Sequence, residues 1–272
     1  MTRPVTRIVG IDLASVPART GVVTLSLSGP RVQATLAEGA DDVSLVAAVD
    51  EATVVGLDAP LGWPDDFVAA LGAHAAFHAW PAVDPSITRP ERERLRLRTT
   101  DRFVRDLELG VTPLSVSSDL IGVVAMRAAS LQSAWASAWG QREPRDGRGR
   151  LVETYPAAAL RAWGVLASRG VRYKGGGGPD ALAQQRQERQ RITEEIESGC
   201  APWLVVEAAV REAADRSDHA LDALVCALVA LATVLGATKV PPRADREVAR
   251  REGWIHVPKT SFSRLGELLA TR

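Results

Sequence analysis

The stretch RIVGIDLA (residues 7–14) is a short apolar run with β-branched residues and one aspartate near its end, which predicts a buried β-strand. Two similar runs follow at GVVTLSL (21–27) and RVQATLA (31–37), joined by the turn signal SGP, and we expect these three strands to form a meander. After a predicted helix at residues 41–52, TVVGLDAPLG (53–62) predicts a fourth strand. A right-handed crossover would place this strand parallel to the first.

The rest of the chain is predicted to be mostly helical. Helical periodicity dominates residues 64–148, strand character returns at GRLVETYP (149–156), and further helices follow. We therefore predict an α/β fold with a mixed five-stranded sheet flanked by helices, a helical insertion at about 64–148 after the fourth strand, and a C-terminal tail at about 238–272. The tail contains one more candidate strand, WIHVP (254–258). We expect residues 1–272 to form a single domain.

Composition and charge argue against several classes of protein. Hydrophobic residues make up 46% and charged residues 24% of the chain, as in an ordinary soluble globular protein. The formal net charge is zero, which argues against a protein that coats nucleic acid through bulk electrostatics. The charges are nevertheless segregated, because residues 32–88 contain nine acids and no Lys or Arg. With no apolar signal region, no membrane-spanning segment and only two cysteines, we expect a cytoplasmic protein that does not bind membranes.

Three predicted strands carry an acid near their C-terminal end: Asp12 in VGIDLA, Asp58 in VGLDAP and Glu153 in LVETYP. Aspartate is a poor strand former, and ligands of open sheets bind outside the carboxyl ends of parallel strands. Because neighbouring strands lie about 4.8 Å apart, carboxylates on adjacent strand ends would repel each other unless a cation joins them. Oxygen ligands of this kind suit Mg²⁺ or Mn²⁺, so the pattern predicts a metal site.

The stretch SDHALDALVCALVA (217–230) predicts a helix that is apolar on every face but charged at its start. Ser217 or Asp218 can cap this helix, whereas Asp222 lies one turn further in and is predicted to be buried. A buried carboxylate costs several kcal/mol unless it is paired or binds a metal. His219 and Asp218 share its face of the helix. Asp222 is therefore either the last carboxylate of the metal site or half of an ion pair with one of the many arginines.

Three more residues are candidates for substrate binding. Lys174, one of three lysines in the chain, precedes four glycines, and such a loop can bring a cation to a phosphate. A plain flexible linker explains the glycines equally well. Arg98 and Asp101 in RTTD form either a substrate clamp or an i,i+3 ion pair on a helix.

The predicted order of elements, β-β-β-α-β-α-β-α, resembles that of the RNase H fold. His219-x-x-Asp222-Ala223 is similar to the last motif of RuvC-type nucleases. The chain resembles more closely an uncharacterised bacterial and archaeal family of predicted RNase H-like nucleases, and the resemblance covers residues 8 to 237. The motifs that carry it are GIDLA (10–14), TGVV (20–23), LDAPLGWP (57–64), RTTD (98–101), TPLSVSSDLIG (112–122), ETYPAA (153–158), RYKG (172–175) and DHALDALVCA (218–227).

The resemblance implies a catalytic site with two divalent ions, Mg²⁺ or Mn²⁺, bridged by Asp12 and completed by Asp58 and Asp222. His219 or Asp218 would be the ancillary ligand, and we add Glu153 as a catalytic candidate. Such ions activate a water and stabilise the leaving oxygen of a phosphodiester, which implies a nuclease or phosphodiesterase that acts on nucleic acid or a nucleotide. RuvC-type enzymes usually have Glu at the position of Asp58, and this difference could alter the spacing of the metals.

Two other classes of function remain. Actin-like proteins and sugar kinases share this sheet, but they need a Gly-rich phosphate turn after the first aspartate, where this chain has Leu13, Ala14 and Ser15. They also need a second such domain, for which the chain is too short. The other class is a binding protein that has kept the RNase H fold without turnover, with which the zero net charge agrees.

Overall fold

A six-stranded mixed sheet forms the centre of the computed structural model, which describes residues 5–37, 39–50, 53–78, 80, 89–166 and 172–272. In spatial order β5-β4-β1-β2-β3-β6, its strands are β1 (Arg7–Asp12), β2 (Gly21–Ser28), β3 (Arg31–Leu36), β4 (Thr53–Asp58), β5 (Leu151–Glu153) and β6 (Leu204–Val206).

The strand pairings confirm the predicted meander and the parallel placement of the fourth strand beside the first. β1 pairs antiparallel with β2, and β2 with β3, whereas β4 lies parallel to β1 and β5 parallel to β4. The prediction of five strands was wrong by one, since β6 pairs parallel with the edge of β3. β6 has only three residues and lies between two helices. Three residues are too few to show the alternation of apolar and polar side chains that predicts a strand.

Helices cover both faces of the sheet. α1 (Asp42–Ala47) connects β3 to β4, and the predicted insertion contains α2 (Asp65–Ala75), α3 (Arg89–Arg96), α4 (Thr99–Asp106) and α5 (Ile121–Trp139). The remaining helices are α6 (Pro156–Ala162), α7 (Pro179–Cys200), α8 (Ala208–Arg216), α9 (Asp218–Val234), α10 (Arg246–Glu252) and α11 (Phe262–Ala270). No helix of the described residues is long and apolar enough to cross a membrane.

The candidate strand at 254–258 was wrong. Ile255 forms an isolated parallel bridge with Glu153, and Pro258 forms an isolated antiparallel bridge with Thr238. A proline at the end of this short run has no N–H to donate, which explains in part why a ladder does not continue.

Alternating residues of β1 divide the core into two layers. Ile8 packs with α9 on one face of the sheet, and Val9 and Ile11 pack with Trp135 of α5 on the other. Each such side chain contributes about 1.5–3 kcal/mol by being buried. The sheet is therefore the middle of three layers.

Two glycines let α9 lie directly on the sheet. A Cβ atom on Gly10 would come within 2.1 Å of the Ala223 carbonyl oxygen, and one on Gly56 within 2.4 Å of the Cys226 carbonyl oxygen. Residues two apart on a strand point to the same face, so Asp12 and Asp58 face α9 as these glycines do. The repeated VG(I/L)D pattern thus combines close helix packing with an acid at the strand end.

Candidate metal centre

Three aspartates meet where β1 and β4 end under the start of α9. Asp12 and Asp58 are direct partners in the parallel register, and Asp222 is on the second turn of α9. One carboxylate oxygen of each residue lies within 4.8 Å of the other two. We call Asp12, Asp58 and Asp222 the acidic trio.

Burial and mutual repulsion make the acidic trio costly to ionise. Burial raises the pKa of Asp58 well above its usual value, and the negative charge of Asp12 raises it further. Burial also raises the pKa of Asp222 to about 6, although attraction to Lys174 opposes this shift. A divalent cation would remove both penalties, and a compact set of carboxylate oxygens is the donor set that Mg²⁺ and Mn²⁺ prefer. These residues therefore fit such an ion.

Asp222 has two hydrogen-bonding partners from the RYKG segment. The Lys174 Nζ atom lies 2.8 Å from Asp222 Oδ2, and the Tyr173 hydroxyl donates to Asp222 Oδ1 over 2.9 Å. Burial opposes the charge on Lys174, but attraction to Asp222, Tyr173 and Asp58 raises its pKa above the usual value. The sequence left an ion pair with an arginine as one alternative for Asp222, and among the described residues the ion-pair partner is Lys174 instead. Tyr173 was missed because only its position beside Lys174 could have suggested it.

His219 contacts the acidic trio through Asp12. Its Nδ1 atom lies 2.6 Å from Asp12 Oδ2, and this hydrogen bond raises the pKa of His219. Asp218 is outside the group of three carboxylates. Of the two candidate caps of α9, Ser217 is the N-cap, because its Oγ atom accepts a hydrogen bond from the His219 backbone N–H.

Glu153 belongs to a different cluster. It aligns with Leu57, not with Asp58, and its side chain therefore points to the opposite face of the sheet from the acidic trio. Arg98 Nη2 lies 2.6 Å from Glu153 Oε1 and 2.8 Å from Asp101 Oδ1, and all three side chains are at most 2% exposed. We call Arg98, Asp101 and Glu153 the Arg98 network. This geometry favours the ion-pair alternative for Arg98 and Asp101.

The comparisons with known proteins give a family. A protein-family model described as "Protein of unknown function (DUF429)" matches residues 10–247. The chain belongs to the DUF429 family. No curated protein and no solved structure matches the chain. The part that matches the DUF429 model contains the acidic trio, the Arg98 network and Lys174.

A cleft of about 360 Å³ opens beside the acidic trio of this DUF429 protein. Asp12, Asp58 and Lys174 line it, as do members of the Arg98 network. Apolar side chains from the segment before α5 and from α5 itself line the cleft as well, among them Leu114, Ile121 and Val124. Its volume is at the lower end of the ~300–1,000 Å³ that is typical of small-ligand sites.

Proposed function

We propose that this DUF429 protein is a metal-dependent hydrolase of phosphodiester bonds, of the RNase H-like, RuvC-related type, that uses Mg²⁺ or Mn²⁺. The observation that carries the proposal is the convergence of the acidic trio from two strand ends and a helix start. An acidic cluster of this kind, next to a cleft, is the arrangement that metal-assisted hydrolysis requires.

The order of elements supports the RNase H-like part of the proposal. A three-stranded antiparallel meander is followed by α1 and the parallel strand β4, then by helices, β5 and further helices. The acids on β1, β4 and α9 also follow the order along the chain that the resemblance implies, which supports the same proposal. Asp58 remains shorter by one methylene than the Glu that is usual in RuvC-type enzymes.

Each residue of the site has a chemical task in this proposal. The acidic trio would hold the metal, which when bound would supply an activated water and stabilise the leaving oxygen. His219 orients Asp12 through the bond to its Oδ2 atom. Lys174, whose side chain is 39% exposed, lies in the cleft where it can contact a phosphate oxygen.

The size of the cleft favours a substrate that presents one or two nucleotides at a time. A duplex bound along the surface would need many Lys or Arg contacts to phosphates. Arg98 is committed to two buried carboxylates, which leaves Lys174 as the exposed cation of the cleft among the described residues that line it. We therefore propose a nucleotide, or a single-stranded end of a nucleic acid, as the substrate.

Hydrolysis assays with Mn²⁺ test the proposal. The substrates would be dinucleotides, single-stranded DNA and RNA, duplexes, a four-way junction and bis(p-nitrophenyl) phosphate. We expect Asp12→Asn to abolish the hydrolysis that the wild type shows, and the matched variant Asp218→Asn, four residues before Asp222 but outside the trio, to retain it. Hydrolysis that survives in Asp12→Asn, or that does not need a divalent ion, would contradict the proposal. Bound Mn²⁺ without hydrolysis of any substrate would favour the binding-protein alternative.

A further inference from the structure

We propose that Lys174 takes the place of a second metal ion, so that the acidic trio binds a single divalent cation. This inference rests on the proposed function and specifies its metal content. It departs from the two ions that the resemblance to RuvC-type nucleases implies.

The charges of the site match one ion. The three carboxylates of the acidic trio carry three negative charges, and the ammonium group of Lys174, 2.8 Å from Asp222 Oδ2, contributes one positive charge. With His219 neutral, as a histidine that orients a metal-bound carboxylate is, one divalent cation neutralises the remaining two. A second divalent ion would leave two uncompensated positive charges in a partly buried site, which is unfavourable in a region of low dielectric constant.

The free carboxylate oxygens also lie together. Both oxygens of Asp222 accept hydrogen bonds, one from Tyr173 and one from Lys174, and Asp12 Oδ2 is bonded to His219. Among the described residues, no donor hydrogen bonds to the Asp58 carboxylate. The trio oxygens without a hydrogen-bond donor among the described residues are therefore those of Asp58 and the second oxygen of Asp12, which are neighbours in the register of β1 and β4, and Asp222 offers its remaining lone pairs beside them. These oxygens would provide one position for an ion.

Lys174 is held in place by the residue before it. Tyr173 is 3% exposed, and its carbonyl oxygen accepts a hydrogen bond from Arg189 Nη1 at 3.0 Å. Arg189 is itself buried and donates to two carbonyl groups at the end of α8. After Lys174 the chain turns away through Gly175, whose φ of +124° is strained for other residues. The ammonium group therefore has a fixed position in the site, and it can provide a positive charge there as a bound metal ion would.

Counting bound Mn²⁺ tests this inference without reference to activity. The full chain would be titrated with Mn²⁺ near neutral pH, with the bound ions counted by calorimetry and their coupling read from the electron paramagnetic resonance spectrum. We expect one Mn²⁺ per wild-type chain with the spectrum of an isolated ion. Lys174→Met removes the charge but keeps the length of the side chain, and we expect this variant to bind two ions with an exchange-coupled spectrum.

Two further variants serve as controls. Lys174→Arg keeps the positive charge and should bind one ion, and Lys259→Met, at an exposed lysine far along the chain, should behave as the wild type. Two ions in the wild type, or one ion in Lys174→Met, would overturn the inference and leave the proposed function intact. No bound Mn²⁺ in the wild type would overturn both. If Lys174→Met does not fold, Lys174→Gln, which also removes the charge, takes its place in the ion count.

Discussion

The Arg98 network and the acidic trio lie at the same end of the sheet and differ in how completely their carboxylate oxygens are hydrogen bonded. In the Arg98 network, each of the four carboxylate oxygens of Asp101 and Glu153 accepts at least one hydrogen bond, from Arg98 or from the Leu61 N–H. In the acidic trio, three carboxylates share one lysine, one tyrosine and one histidine, and none of these partners bonds to Asp58 among the described residues. A buried acid at a strand end is therefore structural or functional according to its partners.

The largest effect is expected from breaking the Arg98 network. Arg98→Met would leave Asp101 and Glu153 buried without a counter-charge, and we expect it to cost about 3–5 kcal/mol of unfolding free energy, with or without Mn²⁺. Chemical denaturation measures the loss. Arg251→Met is the matched control, because Arg251 makes a solvent-exposed pair with Asp65 and the variant should lose far less stability than Arg98→Met. Equal losses in the two variants would contradict the structural role of Arg98.

His256 is a buried titratable group outside both clusters, and it should make the stability of the protein depend on pH. His256 is 2% exposed and contacts Thr238 Oγ1 and the Asp146 carbonyl oxygen, and burial lowers its pKa to about 4. In the unfolded chain the pKa of His256 is about 6.5, so below pH 6.5 the unfolded state binds a proton that the native state does not. The native state is therefore most stable above pH 6.5 and loses stability as the pH falls to 4. We expect the loss to reach about 3 kcal/mol at pH 4.

Denaturation of the wild type and of His256→Gln at pH 7 and at pH 4 isolates this effect from the carboxylates, which titrate in both proteins. The wild type should lose more stability between the two pH values than the variant does. The same loss in both proteins would show that His256 is not the group responsible.

The acidic trio should respond to substitution in the opposite sense to the Arg98 network. Mn²⁺ at 100 times its Kd should stabilise the wild type by about 2.7 kcal/mol. Asp58→Asn removes one of three repelling charges, so its stability in EDTA should equal or exceed that of the wild type, while the gain from Mn²⁺ should vanish. Thermal and chemical denaturation in EDTA and in Mn²⁺ provide the measurement. A large loss in EDTA would mean that Asp58 has a structural partner.

The smallest effect is expected at the start of α9. Ser217→Ala removes the side chain that accepts a hydrogen bond from the His219 N–H and should cost about 1 kcal/mol. Because this bond stabilises the helix and does not involve the acidic trio, the cost should be the same in EDTA and in Mn²⁺. A cost that depends on Mn²⁺ would show that the cap positions His219 for the metal site.

Local patterns were enough to predict the meander, the parallel strand β4 and the position of Asp12 beside Asp58. The strands were predicted from the periodicity of short segments, and the parallel position of β4 from the rule that such crossovers are right-handed. Both rules hold for most sequences. The apolar helix α9 was predicted for the same reason, since its buried character extends over many residues. β6 was not predicted, because three residues are too few to show the alternation that is typical of a strand.

The sequence by itself thus determined the class of fold and the acids that end its strands, whereas the tertiary structure decided which acids meet. Glu153 ends a strand as Asp58 does, but a shift of one residue in register turns it to the other face, where Arg98 neutralises it. Asp222 is 49 residues from Tyr173 along the chain, and its partners depend on how α9 and the RYKG segment pack. Register and long-range packing are set by the whole core, and no short segment of sequence encodes them.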